Sequence, residues 1–172
     1  MWPRSSVRLL LAGAAIAVTG LLPAKALRAE PAVGDTVKLP ALTLLDGRHL
    51  PADYYHGKPL IVEYWASWCP FCARQNPYLQ KLVPLARSKG LEILTVSVDR
   101  KESAARDYVS KHSYTFPVAM ETPELRGLFG KRRVLPQIFV IKADGKIAEV
   151  IPGEMFEEDV LDLIKYAPGK PG

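Results

Sequence analysis

The sequence is poor in cysteine: two in 172 residues. A framework of several disulfides is therefore excluded. A four-ligand zinc site has no second cysteine pair, and His49, His56 and His112 fall at no ligand spacing. No cysteine stands directly after the N-terminal apolar run, so a lipid-modified terminus is not expected, and no twin arginine precedes that run. Internal repeats and low-complexity tracts are missing too. A surplus of one charge is missing once the N-terminus is set aside. The whole chain carries 23 basic and 18 acidic residues, but Arg4, Arg8, Lys25 and Arg28 precede the first acid, Glu30, and without them the balance is 19 to 18. A nucleic-acid partner loses its support there. One basic run remains, Lys131-Arg132-Arg133, which reads either as a solvated loop or as a contact for an acidic partner.

What is present begins with an export pattern. Arg4 and Arg8 form a charged start, and Leu9 to Leu22 an apolar stretch of 14 residues. Pro23 breaks it, and Ala24-Lys25-Ala26 or Leu27-Arg28-Ala29 offers a place for cleavage. A bilayer span needs about 20 apolar residues. Residues 1–29 therefore read as a secretory signal, with an uncleaved anchor as the alternative. The remainder, a domain over 30–166 with a disordered tail at 167–172, is expected in the bacterial periplasm, where disulfides persist.

Patterning predicts an α/β domain. Two short apolar segments around Asp46-Gly47 predict an N-terminal β-hairpin. Pro59 to Trp65 is a continuous apolar run expected of a buried strand. A helix is expected from about Pro70 to Lys89, kinked at Pro77 and Pro84 and ended by Gly90. Leu91 to Val98 reads as the next strand, which makes a β-α-β unit. Then follow a helix over 102–112, a strand over 114–120, and a short helix starting at Thr122-Pro123 and ending near Gly130. Residues 137–141 and 146–151 form a hairpin around Ala143-Asp144-Gly145, and 157–167 a final amphipathic helix.

The two cysteines sit three positions apart, as Cys69-Pro70-Phe71-Cys72. A disulfide here would close almost no loop and so constrain the unfolded chain little. The spacing points to chemistry. A strand leading straight into a helix puts Cys69 at the helix N-terminus, where free N–H groups and the helix dipole favour a thiolate. Pro70 fits the first turn, which needs no N–H from it. Cys72, almost one turn on, faces inward beneath Cys69. Cys69 is then the nucleophile and Cys72 the resolving thiol. A small structural disulfide or a pair of inert thiols are the competing readings. Glu63 interrupts the apolar strand. Buried there, it is pushed towards its neutral form and can take the Cys72 proton. An edge or outward-facing glutamate is the alternative. Trp65 and Trp68 read as core aromatics, with Trp68 alternatively an apolar docking face. Phe71 is expected to be exposed.

The stretch IVEYWASWCPFCARQNP, with a proline five residues after the second cysteine, resembles the active-site segment of thioredoxin-fold proteins. The preceding hairpin and the strand–helix insertion at about 91–120 resemble the exported TlpA/ResA/CcmG branch, over most of Val33–Leu163. VLPQIFVIKADGKI resembles that family's cis-proline strand. The resemblance implies a cis Pro136 beside the cysteine pair and a Leu135 backbone able to pair with a substrate strand. It also makes Glu63 the match of thioredoxin's buried acid. Two positions depart from the pattern. Phe71 stands where the branch often has proline, so the pair is similar to glutaredoxin and DsbA-type motifs. Gln75 stands where the ResA branch carries an active-site glutamate.

The expected architecture is therefore a thioredoxin-like α/β fold: a central mixed sheet flanked by helices, with an N-terminal hairpin and a strand–helix insertion. The expected activity is thiol–disulfide exchange on protein substrates. Catalysis falls to Cys69, Cys72 and Glu63, and substrate binding to Leu135, Pro136, Trp68 and Phe71. The reducing direction is favoured, with an oxidase and a non-catalytic copper- or partner-binding module as rivals. No separate peroxidatic cysteine context supports a peroxidase. No cofactor beyond the cysteine pair and no metal is expected. A membrane electron carrier is the redox partner that the family resemblance implies, and a monomer is the default.

Overall fold

The computed structural model describes residues 30–131 and 133–169. The predicted leader, the last three residues of the predicted tail and Arg132 lie outside them. The chain forms β1 (Leu42–Thr43), β2 (His49–Leu50), β3 (Leu60–Trp65), α1 (Pro70–Ser88), β4 (Glu92–Ser97), α2 (Glu102–His112), β5 (Val118–Met120), α3 (Pro123–Phe129), β6 (Gln137–Ile141), β7 (Ile147–Pro152) and α4 (Glu157–Asp162). β1 and β2 pair as the expected hairpin. Gly47 takes φ +87° in its turn, and Asp46 Oδ1 accepts the Arg48 amide at 3.0 Å.

The other strands make one mixed sheet in the order β5-β4-β3-β6-β7. β3 lies at its centre, parallel to β4 and antiparallel to β6. All six β3 residues are buried, because both sheet faces are covered. Alternation sends Ile61 and Trp65 to one face, against Leu79, Leu82 and Val83 of α1. Leu60, Val62 and Tyr64 face the other, against the hairpin and Leu125 and Phe129 of α3.

α1 runs through Pro77 and Pro84 as one helix of 19 residues, over the span expected for it. Two other elements differ from expectation. The strand expected over 114–120 is paired only at Val118–Met120. Its first half spends its amides elsewhere: Tyr114 N–H donates to the Val109 carbonyl, and Thr115 N–H to Gln80 Oε1 at 2.7 Å. Pro117 has no N–H to give, and its carbonyl accepts both the Thr95 amide and hydroxyl. The last helix tightens into a 3₁₀ turn at Leu163–Tyr166, two residues before Pro168. Ala167 packs against the core and Pro168 lies beside Gly90.

Candidate active site

Trp65 ends β3, and the chain reaches α1 through Ala66, Ser67 and Trp68. Cys69 caps the helix from an extended backbone, φ −86° and ψ 116°. Its Sγ accepts the Cys72 amide at 3.3 Å, and its carbonyl accepts the Ala73 amide at 3.0 Å. Pro70 fills the first helical position. The connecting loop is tied down by Asp99. This carboxylate accepts the Ser67 amide at 3.0 Å, the Ser67 hydroxyl at 2.7 Å and the Ser97 hydroxyl at 2.8 Å. Nothing in the local pattern singles out Asp99. The only sequence trace of its role is an acid directly after a buried strand.

Both cysteines are free thiols, and Cys69 is more hidden than its expected role suggested, at 4% exposure against none for Cys72. Burial pushes the Cys72 thiol well above its ordinary range, and its hydrogen bond to Cys69 adds to the shift. Glu63 is wholly buried in the central strand, which overturns the outward-facing alternative. Desolvation raises its pKa from an ordinary 4.5 to about 8, opposed by the hydrogen bond that Gln75 Nε2 donates to its Oε1 at 3.1 Å. Its Oε2 has no hydrogen-bond partner among the described residues. The Glu63 charge reaches the Cys72 thiol and disfavours its ionisation. Gln75 also accepts the Met155 amide at 2.7 Å, so one side chain links the acid to the loop before α4. Sequence reading left Gln75 as a departure. Its spacing from Cys72 and Leu79 places it on the buried face of α1, and that was the available clue.

The opposite wall comes from the start of β6. The Leu135–Pro136 bond is cis, and Leu135 presents its carbonyl oxygen to Cys69 Sγ at 3.7 Å. The Gly153 amide holds the Pro136 carbonyl at 2.8 Å. Between the walls lies a groove of about 650 Å³ lined by Cys69, Trp68, Phe71, Val134 and Leu135. Trp65 is a core aromatic, 5.3 Å from Tyr108 and 6.3 Å from Phe116 between ring centres. Trp68 is not: it is 67% exposed, and Phe71 is 49% exposed. Of the sequence-predicted site residues, Cys69, Trp68, Phe71 and Leu135 line this groove, while Cys72, Pro136 and Glu63 are buried. No metal-binding cluster and no helix long and apolar enough to cross a membrane occur among the described residues.

Comparison with known proteins agrees with this geometry. A model of the AhpC/TSA family matches residues 33–150. The chain is 31% identical over 125 residues to thiol-disulfide oxidoreductase ResA of Bacillus thuringiensis (strain Al Hakam), covering 72% of each chain. It is 32% identical over 130 residues to ResA of Geobacillus thermodenitrificans (strain NG80-2), covering 75% of this chain and 74% of that one. A solved thiol:disulfide interchange protein of the thioredoxin family from Chlorobium tepidum TLS superposes with a TM-score of 0.69 at 27% identity, over 79% of this chain and 99% of that one. The chain therefore belongs to the AhpC/TSA family, as a thioredoxin-fold thiol-disulfide oxidoreductase of the ResA type.

Proposed function

We propose that this protein is an exported reductant of protein disulfides. The observation that carries the reading is the pairing of a helix-capping Cys69 with a buried Cys72 and a buried, proton-holding Glu63. The Cys69 thiolate, at the start of α1, attacks one sulfur of a client disulfide. That bond breaks, a mixed disulfide forms, and the client's first thiolate leaves. Ionised Glu63 then takes the Cys72 proton, and the Cys72 thiolate attacks Cys69 Sγ. The client's second thiolate departs with the electron pair, leaving a Cys69–Cys72 disulfide and a reduced client. The Leu135 backbone, beside Cys69, pairs with the client strand, with Pro136 behind it and Trp68 and Phe71 as apolar contacts.

The pair itself is the redox centre, and a membrane electron carrier would restore it. The protein works as a monomer in the periplasm, on the strength of the leader at residues 1–29. N-terminal sequencing of protein recovered from that compartment tests both export and cleavage. The second reading, an oxidase, rests on Cys-Pro-Phe-Cys. Equilibration of the Cys69–Cys72 couple with glutathione decides between them. A potential between about −270 and −200 mV supports reduction, and one near about −120 mV would sink it.

A further inference from the structure

The groove at Cys69 is lined by more cations than anions. Four charged side chains line it among the described residues: Glu121, Arg126, Lys131 and Arg133. Arg126 is taken up by Glu121, which accepts two of its hydrogen bonds at 2.9 and 2.6 Å and is itself almost buried. Lys131 and Arg133 have no acidic partner among the described residues, and Arg132 between them lies outside that set. The basic run of the sequence is therefore neither a remote solvated loop nor part of an internal ion-pair network. It delivers two uncompensated cations to the rim of the reactive sulfur's groove. The rest of the rim is apolar: Trp68, Phe71 and Val134 are 67%, 49% and 38% exposed. Three large apolar side chains standing out around one cleft mark a surface that a partner covers.

We propose that this groove selects clients by charge as well as by sulfur. The favoured substrate is a polypeptide whose disulfide is followed by aspartate or glutamate, placed against Lys131 and Arg133, with an aliphatic or aromatic side chain against Trp68 and Phe71. The inference rests on the reading that protein disulfides are the substrate. Two observations point to a polypeptide. Cys69 lines the groove, so a disulfide that exchanges with it is flanked by these side chains, and only a polypeptide extends far enough from its disulfide to reach them. The cations also stand next to apolar walls, as they do in grooves that take a peptide's mixed side chains. The complementarity acts mainly on the encounter, since rim charges steer association and set preference between partners.

The test uses the reduced full chain and three synthetic disulfide-bridged peptides that differ only beside the cysteine, with Asp-Asp, Ser-Ser or Lys-Lys. Reduction is followed as the second-order rate constant of this single turnover at low and high ionic strength, with oxidised glutathione as a small control disulfide. The acidic peptide is expected to react about tenfold faster than the basic one at low salt, with the neutral one between. The order should flatten at ~0.5 M salt, where screening shortens to a few ångströms. In a K131E/R133E variant the order should reverse. Equal rates for the three peptides, an order that ignores salt, or an order that survives charge reversal overturns the proposal while leaving the enzyme's function standing. If that variant does not fold, the salt dependence of the wild-type order decides alone. Exchange with none of the peptides and none with glutathione would overturn the functional reading and this proposal with it.

Discussion

Glu63 makes the protein pay for its buried acid in a way that pH can read. Its pKa is raised from 4.5 to about 8 by desolvation. Below pH 4.5 the carboxyl is protonated whether the chain is folded or not, and it costs nothing extra. Between 4.5 and 8 the folded state holds a proton that the unfolded state has released. Stability therefore falls as pH rises, by about 1.4 kcal/mol per pH unit, the value of 2.303RT. Above pH 8 the group is ionised in both states and the loss is complete, at roughly 5 kcal/mol. Glu63→Gln keeps the shape and can still meet Gln75, but it has no proton to lose. Urea unfolding of wild type and variant, both with reductant present, gives the difference in stability at each pH. The variant should gain on the wild type steadily from pH 5 to 8, by several kcal/mol in all. Taking the difference cancels every other titrating group. Parallel stability curves over that range would mean that Glu63 is not held neutral by burial.

In the proposed mechanism the same group sets the pace of resolution. Its ionised, proton-accepting form grows about tenfold per pH unit below the pKa. Release of a client from the mixed disulfide, followed by stopped flow, should therefore accelerate from pH 6 to 8 in the wild type and lose that slope in Glu63→Gln. Cys72→Ser should accumulate reductant-sensitive adducts with clients and Cys69→Ser should trap few; the opposite pattern on non-reducing gels reverses the assigned roles. Gln75→Leu orphans the Met155 amide at a cost of about 1–3 kcal/mol. It also removes the donor that favours ionised Glu63, so the midpoint of the resolution profile moves to higher pH. An unmoved midpoint refutes the link. Asp99→Ala strips the Ser67 amide and hydroxyl of their acceptor and should cost roughly 2–3 kcal/mol while slowing exchange. A change within about 0.5 kcal/mol would assign the loop's geometry to other residues.

Much of this was legible in the chain because the informative features are local. An apolar run of six, a proline at the first helical position, and Asp-Gly between short strands each name an element without knowledge of the rest. β3, α1, α3 and both hairpins follow from them. The active pair was legible for the same reason, since Cys69 and Cys72 are one turn apart. Residues 114–117 have aromatic and branched side chains suited to a strand, yet their amides are satisfied by Val109 and Gln80. Propensity cannot see that destination. Gln75 meets Glu63, and Asp99 meets Ser67, only through packing of elements far apart in sequence. Trp68 was legible as an aromatic, but its exposure depends on where the loop held by Asp99 points it. Sequence spoke for the sulfur chemistry and stayed silent on the shell that orients it.

The strand order has a consequence for how the enzyme comes into being. β3, α1 and β4 form a local unit, and β6 with β7 forms another. The seam between them is the pairing of β3 with β6, which joins Glu63 to Ile138 and closes a far longer loop than the pairing of Glu63 with Thr95. Closing it costs more chain entropy than the local pairing does, by somewhat less than about 1 kcal/mol. Cys69 stands on one bank of that seam and Leu135 on the other. A nascent or half-assembled chain thus carries two cysteines but no groove to hold a partner. A groove able to hold a partner exists only once the two halves have met.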